Sequence, residues 1–465
     1  MRPILLLFLG LTVALLTAAP GARTTVAQQT SPTDEGAQPQ VDEAAWLELQ
    51  DWVSQLRGLP LLRPVPLVQL DPDAFHARQA EIYRAYLDPA DLERTQRLLV
   101  GLGLLDPDDD LVSIMVDLYS ALPIGFYDSL DGTIYARASA DPNGPLERVT
   151  LAHEFTHALQ DQHFGIQRLY QQGPPNADRD QAINALVEGD ALIVQEMYAA
   201  TTQPDSPEEQ VAQAQVYQQT LQQVYDEARR ALPFPLEAVP QPVMQQVYTP
   251  YLDGPGFIQR VVGTPALTTF GGYGPAVDPL FRRPPQSTAE ILHPEKYLRG
   301  WQPTRVELPD LSGVLGADWR LLREQVIGEL DHRSLLGRDL PADQADAAAA
   351  GWAGNRAAVL VDDSGQMATL SATRWDDPDA AATWAAAFAA AIAARYGDAA
   401  TLLWAEQGRQ IWQTGDQAIL LDVQGALSLT AQAPTVATAE ALADAARAHR
   451  HTAPSGVLIP LPAQP

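Results

Sequence analysis

There is no cysteine among the 465 residues. Disulfides, a cysteine nucleophile, thiolate metal ligands and lipid attachment to an N-terminal cysteine are thereby excluded. Positive charge is scarce: 30 lysines and arginines stand against 58 aspartates and glutamates, a formal charge of −28. That balance argues for solubility and against a general basic surface for nucleic acid. Long apolar runs are missing too. The N-terminal stretch Ile4 to Leu16 falls short of the roughly 20 residues a membrane helix needs. Arg2 precedes it and the small residues Thr25-Val26-Ala27 follow. Residues 1–27 therefore read as a secretory signal, with a retained anchor as the competing reading. The chain is expected to be secreted or otherwise extracytoplasmic, with no membrane span once the signal is removed. Without disulfides an exported chain must be held by its core, and 46% hydrophobic content is enough for one large or two ordinary domains.

Histidine is rare as well, 8 residues in all, yet two of them fall in Thr150-Leu-Ala-His153-Glu154-Phe-Thr-His157-Ala-Leu-Gln-Asp161. Positions i and i+4 of a helix share one face, so His153 and His157 can hold a zinc ion through two imidazoles. Glu154 sits beside them, placed to act as general base on a water. Leu151, Phe155 and Leu159 gather on the opposite face. One side of the helix is then expected in a core and the other along a cleft. The competing reading is an amphipathic helix that happens to carry two histidines on its solvent face, and the scarcity of histidine weighs against it.

A catalytic zinc site takes three protein ligands and leaves one position open. Two residues compete for the third place. His163 has the spacing of the pattern His-Glu-x-x-His-x-x-Gly-x-x-His, but Gln160 stands where that pattern needs glycine, so the helix is expected to continue and carry His163 away. Glu188 lies in Asn184-Ala-Leu-Val-Glu188-Gly-Asp190-Ala191 on a separate predicted helix. Gly189 after it would let helices approach closely. Glu188 is the preferred ligand, against the reading of a surface glutamate on a polar stripe.

The rest of the chain supplies a mainly helical frame. Residues 28–40 read as a disordered spacer. Trp46, Leu49, Trp52, Val53 and Leu56 mark a helix that Gly58 ends, and two more are expected over 75–86 and 92–105. Asp106 to Asp110 reads as a capping turn, since it lacks the glycine and glutamate of a calcium loop. Residues 124–127 and 133–136 flank an Asp-Gly turn and form a hairpin, one strand of which is a candidate edge for an extended peptide. Helices are expected over 208–232, 243–262 and 319–336.

The stretch His153 to Asp161 resembles the zinc helix of thermolysin-like gluzincins, metallopeptidases whose third ligand is a glutamate on a following helix. A second resemblance, to a group of largely uncharacterised exported proteins, runs through His153 to His163, Ala185 to Ala191, Ser287 to Tyr297 and Gly351 to Arg356. These resemblances imply a zincin-like metallopeptidase domain over 41–300, with zinc held by His153, His157 and Glu188. They also imply a downstream tyrosine or histidine as oxyanion donor. His293 and Tyr251 are the preferred candidates, with Tyr248 and Tyr273 as further options. Thermolysin-like enzymes place an aspartate four residues after the ligand glutamate, where this chain has Leu192. The partner that orients a histidine must come from elsewhere, Asp161 and Asp190 being the candidates.

Beyond residue 300 the expectation is a helical connector over 301–350, a smaller α+β domain over 351–452 and a tail over 453–465. The whole is expected to be α+β, a mainly helical domain with a small edge hairpin followed by that smaller domain. The function expected is an exported zinc-dependent hydrolase acting on peptide or protein substrates. A non-catalytic binding or scaffold protein that keeps the fold is the alternative.

Overall fold

The computed structural model describes residues 42–449 apart from 87, 122–124, 139–143, most of 205–231, 236–237 and 269–270. The signal, the spacer, the tail and most of the helix expected over 208–232 lie outside the described residues. The chain is α+β and divides into two compact units. The first comprises the chain to Glu93, Asp109–Pro175 and Arg179–Arg299; the second comprises Arg94–Asp108, Asn176–Asp178 and everything from Gly300. No helix among the described residues is long and apolar enough to cross a membrane.

In the first unit, helix α1 (Glu43–Arg57) is capped by Asp42, whose carboxylate accepts from the N–H groups of Ala44 and Ala45. It buries Trp46, Leu49, Val53 and Leu56. Gly58 ends it with φ +74°, a conformation that costs glycine nothing. A three-stranded sheet follows in the order β1-β3-β2, with β1 Leu67–Leu70, β2 Gly125–Asp128 and β3 Thr133–Arg137. The β2–β3 hairpin is the expected one. The parallel partner β1, supplied from before helix α2 (Pro72–Tyr86), was not legible in the pattern. Between α2 and β2 in the chain come α3 (Pro89–Gly101), which belongs to the second unit from Arg94 onward, and α4 (Leu111–Ala121). The Asp106–Asp110 turn does cap, Asp110 accepting from the N–H of Ser113.

Helix α5 (Pro145–Phe164) opens with proline in its first turn, where no N–H is needed, and ends at Gly165. Leu151, Phe155 and Leu159 enter the core as expected, with the Phe155 ring 5.8 Å from that of Trp46. The opposite face departs from expectation. His153, Glu154, Thr156, His157 and Gln160 are all fully buried, so the helix is covered on both sides. The cover comes in part from α6 (Ala177–Thr201), which faces the histidines, and from β2. Helix α7 (Gln241–Val262) lies against α6 at two glycines. A Cβ on Gly189 would fall 2.5 Å from the carbonyl carbon of Gly254, and one on Gly254 would fall 2.2 Å from the Ala185 oxygen. Helix α8 (Tyr273–Arg282) packs its first turn against the end of α1, where Gly274 meets Arg57 and Gly58.

The second unit is built on a seven-stranded antiparallel sheet in the order β4-β5-β6-β10-β9-β8-β7. Its strands are β4 Trp319–Gln325, β5 Trp352–Asp362, β6 Met367–Trp375, β7 Ala400–Glu406, β8 Arg409–Thr414, β9 Gln417–Gln424 and β10 Leu427–Ala433. Strand β4 corrects the expected helix over 319–336 and with it the helical connector. Its leucines, arginines and glutamate have good helix propensity, but pairing with β5 overrides it, and the helix α9 (Glu329–Gly337) starts only after Gly328. A short helix α10 (Ala342–Ala349) then leads into β5. The alternation along β6 sorts the two faces. Leu370 and Ala372 pack with Leu442 and Ala446 of α12 (Val436–Ala448), while Trp375 stacks on Trp384 of α11 (Pro378–Tyr396). The edge strand β7 leaves Leu402, Leu403 and Trp404 exposed.

Between α9 and the sheet lies His332, 4% exposed, with its ring 4.8 Å from Trp384. Its Nδ1 donates to the Gly328 carbonyl, and its Nε2 lies 3.1 Å from the Thr373 hydroxyl, which also accepts from Asn355. Burial pushes its pKa down from 6.5 to about 4, partly opposed by the Gly328 bond. The unfolded chain therefore binds a proton that the folded chain refuses between those values. The neutral-His contribution is complete above pH 6.5 and is lost as pH falls toward 4, about 3 kcal/mol in all. Tryptophan-monitored denaturation from pH 7.5 to 4.5 checks this. A His332→Gln chain should show a flatter pH dependence, and an unchanged slope would refute the assignment.

Candidate metal centre

Helix α5 presents His153 and His157 one turn apart, with ring centroids 4.7 Å apart, and α6 brings Glu188 to them. Glu188 Oε2 is 3.3 Å from His153 Nε2 and 3.8 Å from His157 Nε2. A tetrahedral ion with bonds near 2.0–2.1 Å needs donors about 3.4 Å apart, which these separations match. The three side chains are 0 to 1% exposed, and their donor atoms lie within 4.8 Å of one another. They form the cluster among the described residues that could hold a metal ion.

The electrostatics agree with a cation. Burial, and then the charge of Glu188, push the Glu154 carboxyl well above the usual range, against one backbone hydrogen bond from Tyr127. Burial also raises Glu188, opposed by a hydrogen bond with His153 and the charge of that imidazole, and by a hydrogen bond from Tyr251. Burial and the neighbouring His153 push His157 well down. Glu188 Oε2 faces both imidazoles rather than a basic side chain. A buried carboxylate is costly to keep charged, and a bound cation offsets that cost. The residues present therefore fit a metal.

Around these ligands the structure supplies partners that sequence reasoning located only in part. His157 Nδ1 is 2.8 Å from Gln160 Oε1. Gln160 Nε2 donates to the Val187 carbonyl and to Asp190 Oδ2. Because the amide nitrogen is committed to two acceptors, its oxygen must face the histidine. Nδ1 then carries the proton and Nε2 presents its lone pair toward Glu188. Gln160 thus orients the ligand, a role its sequence position in place of glycine does not announce. Asp190 stands one step further out. Asp161, the other candidate, accepts from the Tyr127 hydroxyl and the Ile166 N–H and so fastens the hairpin to α5.

Glu154 Oε2 accepts from the Tyr127 N–H at 2.9 Å, which ties it to the edge strand β2, while Oε1 has no hydrogen-bond partner. Of the two expected oxyanion donors, Tyr251 comes to the centre through α7, hydrogen-bonded to Glu188. His293 does not join the metal group. It occupies the N-cap position of the short helix Pro294–Leu298 without a side-chain capping bond, its Nδ1 3.8 Å from Glu295. Tyr273 is buried and its hydroxyl donates to Asp190. His163 remains on α5, 2.7 Å from the Pro60 carbonyl oxygen and outside the ligand set.

Comparison with protein families matches residues 319–443 to a domain of unknown function, DUF8575. That span runs from β4 into α12 and holds none of the metal-centre residues. Comparison with curated proteins and with solved structures finds no match.

Proposed function

We propose that the protein is an exported zinc-dependent metallohydrolase of gluzincin type, acting on peptides. The observation that carries the reading is Glu154, fixed at one oxygen by the edge strand and unpartnered at the other, directly beside the ligand cluster. Zinc held by His153, His157 and Glu188 would supply a Lewis acid that acidifies water and polarises a carbonyl. Glu154 Oε1 takes the proton of the attacking water and delivers it to the leaving amine nitrogen. The Tyr127 N–H holds Oε2 through both transfers, so the carboxyl does not have to reorient. Tyr251 steadies Glu188 during the same steps. His293 is retained as the oxyanion donor implied by resemblance. The same donor set serves non-haem iron, and a general base beside it favours hydrolysis.

A second reading, a metal-stabilised scaffold without activity, is supported by the complete burial of Glu154 and the ligands. One experiment separates the two. Purified protein is analysed for bound metal and incubated with a mixed peptide library, beside Glu154→Gln. The peptidase reading expects one zinc per chain in both proteins and a rate lower by about 10²–10⁴ in the variant. Bound zinc with no cleavage in either leaves the scaffold reading standing.

A further inference from the structure

The metal centre is held from outside by a continuous line of polar contacts that begins on the N-terminal helix. Arg57, the last residue of α1, is fully buried. Its Nε donates to Asp190 Oδ2 at 2.8 Å, and one terminal nitrogen donates to Asp278 Oδ1 at 2.9 Å. The guanidinium is boxed by the rings of Phe164, Tyr273 and Phe281, each 5.6 to 5.8 Å away. Asp190 is fully buried and accepts at both oxygens: Oδ1 from the Tyr273 hydroxyl at 2.7 Å, Oδ2 from Arg57 and from Gln160.

We infer that Arg57 is a positioning residue for the metal ligand His157, acting through Asp190 and Gln160. The inference rests on the proposal that this cluster binds a metal. Each link constrains the next. A guanidinium has only donors, so the Asp190 oxygen it meets must accept. An acceptor at Asp190 requires the nitrogen of the Gln160 amide, not its oxygen. The amide oxygen is thereby turned to His157, which must place its proton on Nδ1 and leave Nε2 bare for a metal. The Val187 carbonyl holds the same amide nitrogen, so loss of Arg57 or Asp190 loosens the amide, and only its reversal presents the wrong edge of the imidazole. A lysine in place of Arg57 keeps the charge but cannot engage Asp190 and Asp278 at once with a planar fork. The helix α1 is accordingly part of the metal centre rather than a segment that can be cut away to expose it.

The test uses the full chain with Arg57→Lys and Asp190→Asn, and Phe257→Leu as a packing control elsewhere in the same unit. Zinc affinity is measured by competition with a chromogenic chelator, on protein shown by circular dichroism to be folded at the assay temperature. Ring-nitrogen chemical shifts of ¹⁵N-histidine-labelled, metal-free protein report the His157 tautomer. Expected are a 10–100-fold weaker affinity in both relay variants, loss of the single Nδ1–H tautomer in Asp190→Asn, and wild-type affinity in Phe257→Leu even where its melting temperature falls as far. Relay variants that bind zinc within threefold of the wild type, with the tautomer kept, would overturn the inference and leave the metal reading intact. Failure of the wild type itself to bind zinc would overturn both.

Discussion

Chains carrying Glu188→Gln are expected to bind no stoichiometric zinc and, in metal-free buffer, to withstand more denaturant than the wild type. The two halves of that result have one cause. Glu188 is 1% exposed, and burial pushes its carboxyl pKa up against the His153 and Tyr251 contacts. Keeping that charge in the buried site costs folding stability. An amide nitrogen at that place can donate to the imidazole and removes the cost, and the remaining amide oxygen keeps the Tyr251 contact. The same amide is a poor metal ligand. Wild-type protein in zinc at a thousand times its Kd gains about 4 kcal/mol of stability, and the variant should gain almost none. Urea titrations with and without zinc, on both proteins, give all four numbers. A variant less stable than the wild type without metal would mean that the His153 and Tyr251 contacts outweigh the cost of burying the charge.

Gly254→Ala should lower stability by about 3 kcal/mol, at the upper end for an overpacked site, and should cost metal as well. The added methyl meets backbone on all sides: the Ala185 carbonyl at 2.2 Å and the Gly189 Cα at 3.2 Å. No side chain can rotate away, so α7 must move off α6. That movement carries Tyr251 away from Glu188, since Tyr251 lies on the same helix one turn before the glycine. Denaturation midpoints and zinc content measured together check the coupling. A stable variant with full zinc would show that the two helices have slack at this crossing.

What could be read beforehand follows from how local each signal is. The candidate ligands His153 and His157 and the candidate base Glu154 lie within five consecutive residues on one helix, so the periodicity alone set them side by side. Glu188 needed only the further rule that such a site lacks one ligand. Gln160 was visible but read for its helix propensity, because nothing local says that its amide nitrogen would be claimed by Val187 and Asp190. Arg57 stands in the last turn of a helix, where any cation complements the dipole, so nothing local singles it out. Its burial depends on Asp190 and Asp278, far along the chain. The fold shows the same division. The Asp-Gly hairpin and the amphipathic helices were legible from turn chemistry and spacing. Strands β1 and β4 were not, since each exists only because a partner strand is there to pair with it.

The line from Arg57 to His157 also sets an order of events. Arg57 meets Asp190 across 133 residues and Asp278 across 221. Contacts so distant in sequence form late, after the entropy of closing long loops has been overcome by packing elsewhere. During synthesis the two histidines emerge together, but their geometry is enforced only when the chain through Asp278 has been made and folded back. A metal met early finds two loosely held imidazoles; a metal met late finds a finished site. For a cluster that binds a metal, loading of the finished site would thereby be deferred to the end of folding, in whichever compartment that end is reached.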